Sequence, residues 1–431
     1  MKFYSTNKKS GDADLTDAVF RGLAPDGGLF MPQHIPRLPA TFLNRLRSTS
    51  FQEIAFRIAS AFFGEDVPEK MLRDIVKRSI NFDAPLVRLD GNTYVLELFH
   101  GPTLSFKDFG ARFMAQLLAY LTKKSRRKIT VLTATSGDTG SAVAQGFLGA
   151  PGIRVVVLYP KGKVTNVQES QMATLGRNIR AVAVRGTFDD CQALVKRAFR
   201  DRDLNRRLGL TSANSVNIAR LIPQIFYYFR AYAQLPRGAK RAVFSVPSGN
   251  FGNLTAGLMA KKMGLPARFV AATNVNDAVP EYLRTGLFRP RPSKQTLANA
   301  MDVGNPSNFA RMLDLYGRDR AKMKNDVWGA AFTDEEMLGA MREVFNTYRY
   351  TLDPHGAVGF LGLKKYRSGH AADCAGIILE TAHPSKFPGA VEASGRAPLP
   401  MPPRLKKYMS RKKRSVVMPN DFSALIRMLQ K

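Results

Sequence analysis

Lys107 is the residue of this sequence whose surroundings most favour covalent chemistry. It lies between Phe106 and Phe109 in the stretch HGPTLSFKDFG. Aromatic neighbours exclude water and disfavour an ammonium ion, so we expect the pKa of Lys107 to lie below its usual value. A neutral amine is a nucleophile that forms a Schiff base with an aldehyde. Taken alone, the stretch favours a plainer interpretation, a surface lysine that follows a Gly-Pro turn.

Two glycine-rich turns have the composition of anion-binding loops. In the segment 248–253, SGNFGN, Gly249 and Gly252 let successive backbone N–H groups point into one space, and the following helix adds the positive end of its dipole. This pattern predicts a phosphate cradle, although it lacks the Gly-Lys-Ser/Thr of a nucleotide P-loop. The segment 136–140, SGDTG, offers two hydroxyls and N–H groups at a helix start, which suit a carboxylate. For each segment a simple turn or helix cap remains the alternative.

These turns need a scaffold that brings them together, and the chain after residue 84 has the pattern of one. Short β-branched runs alternate with glycine turns and amphipathic helices, which is typical of a parallel sheet with helices on both faces. The predicted strands are 129–132, 153–158, 179–184, 242–246, 268–272 and 376–379, and the predicted helices are 141–148, 167–175, 188–208 and 253–263. Ligands of such sheets bind beyond the carboxyl ends of the strands, where both glycine turns fall.

The two ends of the chain are predicted to serve packing. Residues 1–83 have mostly helical patterns, at about 40–63 and 67–79, and carry no catalytic motif. Residues 388–403 are rich in Gly, Ala and Pro, which predicts a surface connection. The chain closes with a short amphipathic helix at 422–429.

The composition is that of an ordinary folded protein with an unusual charge. Of 431 residues 45% are hydrophobic, no run of about 18 apolar residues predicts a membrane helix, and the two cysteines favour a cytoplasmic location. The formal net charge of +31 attracts anions of every kind, nucleic acid included. The basic run Arg404–Arg414 lacks interleaved aromatics apart from Tyr408, so we expect a solvated face without a specific nucleic-acid role.

His100, His355 and His383 lack metal-ligand spacing, so they are interpreted as hydrogen-bonded loop residues and no metal site is predicted.

Taken together, the motifs resemble the threonine synthase family, whose members are pyridoxal-phosphate enzymes of fold type II. The motifs are, in chain order, PDGGLFMP, HGPTLSFKD, TSGDTG, KVTNVQESQM, SANSVNIARLIPQ, PSGNFGN, DPHGAVG, ETAHPSKF and PNDFSAL, and they span the whole chain. The resemblance implies an α/β fold similar to tryptophan synthase β, with twisted, mostly parallel sheets, helices on both faces and a mostly helical N-terminal unit. It also implies an N-terminal domain at 1–83, a catalytic region at 84–387 with a smaller subdomain at about 110–220, and a C-terminal extension at 388–431.

The resemblance further implies roles for individual residues. Lys107 resembles the lysine that forms the Schiff base with pyridoxal 5'-phosphate, and Thr381 resembles the hydroxyl partner of its pyridine nitrogen. The other residues that the resemblance places around the cofactor are Asp138, Gly249, Asn250, Phe251, Gly252 and Asn253. Those that it places around the substrate are Ser136 and Thr139, near the carboxylate, and Lys163, Asn214, Ser215, Asn217 and Arg220, near the phosphate. A neutral hydroxyl at the pyridine nitrogen makes the ring a milder electron sink than a carboxylate would, which suits elimination and replacement reactions.

The activity that this resemblance implies is the conversion of O-phospho-L-homoserine and water to L-threonine and phosphate, the last step of threonine biosynthesis. Lys107 would take the Cα proton and serve later proton transfers, because the substrate stays within its reach. One alternative is another fold type II lyase or β-replacement enzyme acting on a different O-substituted amino acid. The other is a basic, non-catalytic relative that binds nucleic acid. We expect a monomer or a homodimer, without a membrane or specific nucleic-acid partner.

Overall fold

The computed structural model of the chain describes residues 1–239, 241–370 and 374–430. In these ranges the strands are β1 (Phe3–Ser5), β2 (Phe30–Pro32), β3 (Leu86–Asp90), β4 (Thr93–Glu97), β5 (Ile129–Ala134), β6 (Ile153–Pro160), β7 (Ile179–Arg185), β8 (Leu210–Thr211), β9 (Ala242–Pro247), β10 (Ala267–Thr273), β11 (Val327–Ala331), β12 (Ala375–Glu380) and β13 (Val416–Pro419). The α-helices are α1 (Leu15–Arg21), α2 (Ala40–Arg45), α3 (Phe51–Phe63), α4 (Glu69–Ser79), α5 (Lys107–Ser125), α6 (Asp138–Gly146), α7 (Asn166–Ala173), α8 (Phe188–Arg200), α9 (Arg202–Leu208), α10 (Ile218–Leu221), α11 (Ile225–Gln234), α12 (Gly252–Lys262), α13 (Ala278–Thr285), α14 (Phe309–Leu315), α15 (Arg320–Asp326), α16 (Asp334–Tyr348), α17 (Pro354–Ser368), α18 (Pro388–Ala393), α19 (Pro403–Met409) and α20 (Phe422–Gln430). Among the helices described here, none is long and apolar enough to cross a membrane.

The strands form two large sheets, both predominantly parallel. In the described residues the larger sheet has the order β11-β10-β9-β12-β4-β3, and the smaller has the order β13-β7-β6-β5-β8. Neighbouring strands run parallel except for β3 and β4, which form an antiparallel pair. Near the N-terminus β1 and β2 form a separate antiparallel pair. The prediction of an α/β fold with mostly parallel sheets is therefore confirmed.

Hydrophobic sequence explains why both sheets are covered by helices. β5, ITVLTA, and β12, AGIILE, are buried along their whole length, as expected of strands with helices on both faces. Helix α17 packs on β9, β10 and β12, while α5 packs against α4 and α6. The N-terminal helix α3 contacts both α4 and α11. The N-terminal unit thus supports α5, the helix that begins at Lys107.

The C-terminal segment contributes a strand that the sequence pattern did not predict. β13 extends the smaller sheet by pairing in parallel with β7, with Val416 opposite Val182. Helix α20 then packs against α8. Helix α19 lies on α7 with Leu405 and Tyr408 buried, whereas every basic side chain of the run Arg404–Arg414 is exposed.

Three predicted helices differ from the observed ones. The helical pattern predicted at about 40–63 contains two separate α-helices, α2 and α3. The helix predicted at 141–148 already begins at Asp138, which places this acid in the first turn of α6. The single helix predicted at 188–208 is interrupted at Asp201. The Asp201 carboxylate accepts a hydrogen bond from Leu204 N at 2.9 Å and so caps the start of α9. Helical periodicity on both sides of the break made the two helices look continuous.

Candidate active site

A cavity of about 420 Å³ lies beyond the carboxyl ends of strands from both sheets. The residues that follow β5, β9 and β12 line it, and so do the first residues of α5, α6 and α12. Helix starts carry partial positive charge, so this construction favours an anionic ligand. The volume is in the range of pockets that hold small molecules.

Lys107 lines this cavity as the first residue of α5. Its Nζ lies 5.0 Å from the centre of the Phe106 ring. Burial lowers the pKa of Lys107 below its usual value; the charge of Asp138 opposes this shift, and the charges of Lys386 and Arg220 add to it. The amine is therefore neutral more often than that of an exposed lysine, which makes it a better nucleophile.

Phe109 does not form the second aromatic wall that the sequence predicted. Residues two apart on a helix do not face each other, and Phe109 points away from the Lys107 amine. It is fully buried, and its ring packs on Phe51, Phe82 and Tyr227 at centre distances of 6.0, 4.8 and 5.2 Å. Phe109 therefore anchors α5 in the core, while Phe106 is the ring beside the amine.

Asp108 holds the loop that precedes α5. Thr103 donates to its two carboxylate oxygens from the backbone N and from Oγ1, each at 2.8 Å. Burial raises the pKa of Asp108 to about 6, even though these hydrogen bonds favour its ionised form. Phe106 N donates to Thr381 O at 2.9 Å, which ties the same loop to the end of β12. Lys107 and Thr381 are thus fixed relative to each other.

The glycine loop 248–253 connects β9 to α12, as predicted. Phe251 adopts a left-handed φ of 58°, and α12 begins at the next residue, Gly252. A Cβ on Gly252 would lie 2.9 Å from Ser215 Cβ, closer than side chains tolerate. Asn250 fixes the loop from the other side, because its Nδ2 donates to Ser215 Oγ at 3.0 Å. The tight turn brings the start of α12 to the cavity wall.

Two buried side chains of the lining carry donor atoms that the described residues leave unpaired. Asn253 Oδ1 accepts hydrogen bonds from the hydroxyls of Tyr227 and Tyr228 at 2.6 and 2.7 Å, but its Nδ2 has no partner there. Arg220 donates from Nη1 to Ala213 O at 2.7 Å, and its Nε is likewise unpaired among those residues. Burial lowers the pKa of Arg220 to about 10, which leaves it charged at neutral pH. Buried donors without acceptors are costly, so this set fits an anion such as a phosphate.

Asp138 lines the cavity as part of a buried ion pair. Lys386 Nζ lies 2.7 Å from Asp138 Oδ1, and Gln168 Nε2 donates to the same oxygen at 2.9 Å. Burial opposes ionisation of Asp138, but the charges of Lys386 and Lys107 prevail and lower its pKa to about 2. Asp138 is therefore a carboxylate at neutral pH. The sequence reasoning did not single out Lys386, although it lies in the motif ETAHPSKF.

Comparisons with known proteins identify the family. Residues 79–378 match the family model of pyridoxal-phosphate dependent enzymes, residues 2–80 match that of the threonine synthase N terminus, and residues 356–428 match that of the threonine synthase C-terminal part. The chain is 44% identical to threonine synthase of Escherichia coli (strain K12) over 431 residues, which are 100% of this chain and 99% of that protein. It is 46% identical to threonine synthase of Haemophilus influenzae over 427 residues, 99% of this chain and 98% of that protein. The chain belongs to the threonine synthase family.

Solved structures of threonine synthases have the same fold. The crystal structure of threonine synthase from Escherichia coli superposes with a TM-score of 0.93 at 44% identity and covers 100% of this chain and 99% of that one. The structure of PLP-bound threonine synthase from Brucella melitensis superposes with a TM-score of 0.92 at 34% identity, again with 100% and 99% coverage. The predicted family and the predicted fold type II architecture are confirmed. The domain boundaries at 83 and 387 stay predictions.

Most residues that the sequence assigned to the threonine synthase site line the cavity. They are Lys107, Ser136, Asp138, Thr139, Asn214, Ser215, Arg220, Gly249, Asn250, Phe251, Gly252, Asn253 and Thr381. Their common position agrees with a site for pyridoxal phosphate, because they supply an amine for its aldehyde, the unpaired donor Asn253 Nδ2 for its phosphate and a loop without room for a further side chain. The roles of the individual residues remain predictions.

Asn217 and Lys163 differ from the other predicted site residues, since the cavity lining contains neither of them. Asn217 is fully buried, and its Nδ2 donates to Val19 O at 2.9 Å and to Ser212 O at 3.1 Å, so it braces the N-terminal unit. Lys163 is exposed in the turn that follows β6.

The cavity lining also contains residues that the sequence reasoning did not assign to the site, among them His355, Lys196 and Arg291. His355, interpreted as a loop residue, lies in the first turn of α17 and lines the cavity, with its Nδ1 2.6 Å from Asp353 Oδ1. The motif DPHGAVG, which contains both residues, was the signal that could have found it. Lys196 and Arg291 also belong to the lining, and they come from α8 of the smaller sheet and from the long segment after α13. No local motif marks either of them.

Proposed function

We propose that this threonine synthase family member converts O-phospho-L-homoserine and water to L-threonine and phosphate, with pyridoxal 5'-phosphate as its cofactor. The observation that carries the proposal is the Lys107 amine, which has a lowered pKa and shares one cavity with the glycine loop 248–253 and with Thr381. A lysine, a phosphate cradle and a neutral hydroxyl are the groups that the aldehyde, the phosphate and the pyridine nitrogen of this cofactor require.

In this proposal each part of the cavity has its own task. Lys107 would hold the cofactor through its aldehyde carbon, and residues 249–253 would hold its phosphate. The Thr381 hydroxyl would be the partner of the pyridine nitrogen, and Asp138 would add its carboxylate to the same site. When bound, the cofactor supplies an electron sink for the negative charge that develops on the substrate carbons.

Lys107 would move the protons of a substrate bound in the cavity. Its lowered pKa favours the neutral amine, the form that would accept the proton from the substrate Cα. The same amine serves the neighbouring Cβ, because a substrate held in the cavity keeps both carbons within reach of one side chain. Phe106 lies beside the amine and limits the access of water to it. Water enters the reaction only when it adds at Cβ, after the phosphate has left Cγ.

The substrate itself carries two anionic groups that the cavity must compensate. Desolvating a phosphate dianion is too costly unless fixed cations and donors meet it. We assign this task to Arg220, whose Nε is unpaired among the described residues, together with Asn214 and Ser215. The hydroxyls of Ser136 and Thr139 suit the substrate carboxylate.

Steady-state formation of phosphate and threonine by the purified full-length chain tests this function. We expect O-phospho-L-homoserine to yield both products in equal amounts, homoserine to yield none, and Lys107→Ala to give the background rate. The alternative is another lyase or β-replacement enzyme on a different O-substituted amino acid. Turnover of O-acetylserine or O-phosphoserine without turnover of O-phosphohomoserine would establish that alternative and overturn the proposal.

A further inference from the structure

Lys386 is a buried cation that the proposed reaction does not yet use. Its side chain has 0% exposure. The residue follows β12, an inner strand of the larger sheet. Its Nζ lies 2.7 Å from Asp138 Oδ1 and donates to Thr103 O at 2.8 Å. Asp138 begins the helix after β5 of the smaller sheet. The ion pair therefore joins the ends of both sheets beside the cavity.

The pair also acts on the loop that carries Lys107. Thr103, which receives a hydrogen bond from Lys386, is held by Asp108, the neighbour of Lys107. Helix α7 supports both Asp138 and Thr103, because Gln168 donates to Asp138 at 2.9 Å and Gln171 donates to Thr103 O at 3.2 Å. The motif KVTNVQESQM, whose resemblance suggested substrate contacts, thus braces this ion pair and the loop before Lys107.

A buried carboxylate without a cation is strongly destabilised, so Asp138 requires one. Two lysines act on it, Lys386 and Lys107. The charged groups that act on Lys107 are Asp138 and Asp353, which favour its ammonium form, and Lys386 and Arg220, which disfavour it. If Lys386 were absent, Lys107 would be the lysine left to compensate Asp138, and its amine would be held in the charged, unreactive form.

We propose that Lys386 is a positioning residue that pairs with Asp138 and thereby leaves the Lys107 amine free to react with an aldehyde. The inference rests on the proposed function, since it takes Lys107 to be the cofactor lysine. Lys386 does not need to touch cofactor or substrate for this role. It acts by pairing with the carboxylate whose negative charge favours the ammonium form of Lys107.

The test measures how covalent attachment of pyridoxal phosphate depends on pH. The full-length chain is incubated with pyridoxal phosphate across a pH series, reduced with borohydride and digested, and the modified fraction of the Lys107 peptide is measured by mass spectrometry. Lys386→Met removes the charge and keeps the length of the side chain. We expect its curve to move to higher pH, with attachment at neutral pH reduced about tenfold or more.

Two further variants separate electrostatics from structural damage. The double variant K386M/D138N removes both charges, and replacing a buried pair by neutral groups is often tolerated. The pH dependence of Lys107 labelling in this double variant should return towards that of the wild type, because the Asp138 carboxylate that favours the ammonium form of Lys107 is absent. Asp138→Asn alone should move the curve to lower pH, and this result tests the proposal even if K386M does not fold. Lys364→Met removes an exposed pair with Glu343 and is the matched control, without an expected shift.

Two results of these labelling experiments would overturn the proposal for Lys386. A K386M curve that coincides with that of the wild type overturns the proposal. So does a double variant that is shifted as far as the single one, since Lys386 would then have a structural role only. Absence of label at Lys107 in the wild type would instead overturn the proposed function itself.

Discussion

Arg220 provides the most informative single substitution in the cavity. Arg220→Ala removes a buried guanidinium that donates to Ala213 O at 2.7 Å and whose Nε is unpaired among the described residues. Truncating one partner of a buried, hydrogen-bonded charge pair costs about 2–5 kcal/mol. If Arg220 binds the substrate phosphate, its removal should cost about 2–4 kcal/mol of transition-state stabilisation. The value of kcat/KM for O-phospho-L-homoserine should then fall about 30- to 900-fold. The Ala213 carbonyl also loses its donor, so we expect the free energy of unfolding to fall by about 1–3 kcal/mol.

The assay follows phosphate release at saturating pyridoxal phosphate, with the visible spectrum recorded for each variant. Arg112→Ala is the control, because Arg112 also donates to backbone carbonyls, Ser79 O at 3.0 Å and Arg78 O at 2.6 Å, but lies outside the cavity lining. It should lose stability and keep kcat/KM. The reasoning is refuted if Arg220→Ala is as active as the wild type. It is also refuted if the variant loses cofactor affinity and keeps kcat/KM, since Arg220 would then hold the phosphate of the cofactor.

The remaining predictions concern the glycine loop, one buried acid and the basic run. Gly252→Val should weaken cofactor binding by about 2 kcal/mol or more, because a side chain there meets Ser215; equal affinity in a folded variant, measured by absorbance titration, would contradict this. Burial raises the pKa of Asp108 from 3.8 to about 6, so the folded protein binds this proton more tightly than the unfolded chain does. Protonation of Asp108 therefore stabilises the fold fully below about pH 4, and this stabilisation is lost as the pH rises through about 6. Relative to Asp108→Asn, the wild type should therefore lose about 3 kcal/mol of unfolding free energy over this interval, and parallel denaturation profiles would disprove it. The exposed run Arg404–Arg414 should bind DNA only non-specifically, and sequence-selective binding that survives about 0.2 M salt would show otherwise.

Local sequence predicted much of the fold because its signals are themselves local. β-Branched runs, glycine turns and helical periodicity depend on neighbouring residues, and they located the turn at 248–253 and six strands of the two large sheets, β5, β6, β7, β9, β10 and β12. The other five strands of these sheets, β3, β4, β8, β11 and β13, were not predicted. The same signals could not reveal pairing between distant segments. β13 joins β7 across more than two hundred residues of chain, and Lys386 meets Asp138 across a similar separation.

For the site, sequence reasoning succeeded where residue type already determines the chemistry. The lysine of HGPTLSFKDFG indicated a reactive amine and the glycines of 248–253 indicated an anion-binding turn from residue type alone, and the structure places both in the cavity lining. Sequence reasoning failed where the role of a residue depends on the direction in which its side chain points. Phe109 is adjacent to the reactive segment in sequence but points into the core, and Asn217 has a polar side chain that three-dimensional packing directs to Val19 O.

The central claim is that Lys107 carries the cofactor, and locating the attachment site tests it most directly. The purified chain is saturated with pyridoxal phosphate, reduced with borohydride and digested, and the labelled lysine is identified by mass spectrometry. Our account predicts a single labelled peptide that contains Lys107, and loss of that label in Lys107→Ala. Stoichiometric label at another lysine of the cavity, such as Lys196, or no label in the wild type, would contradict it.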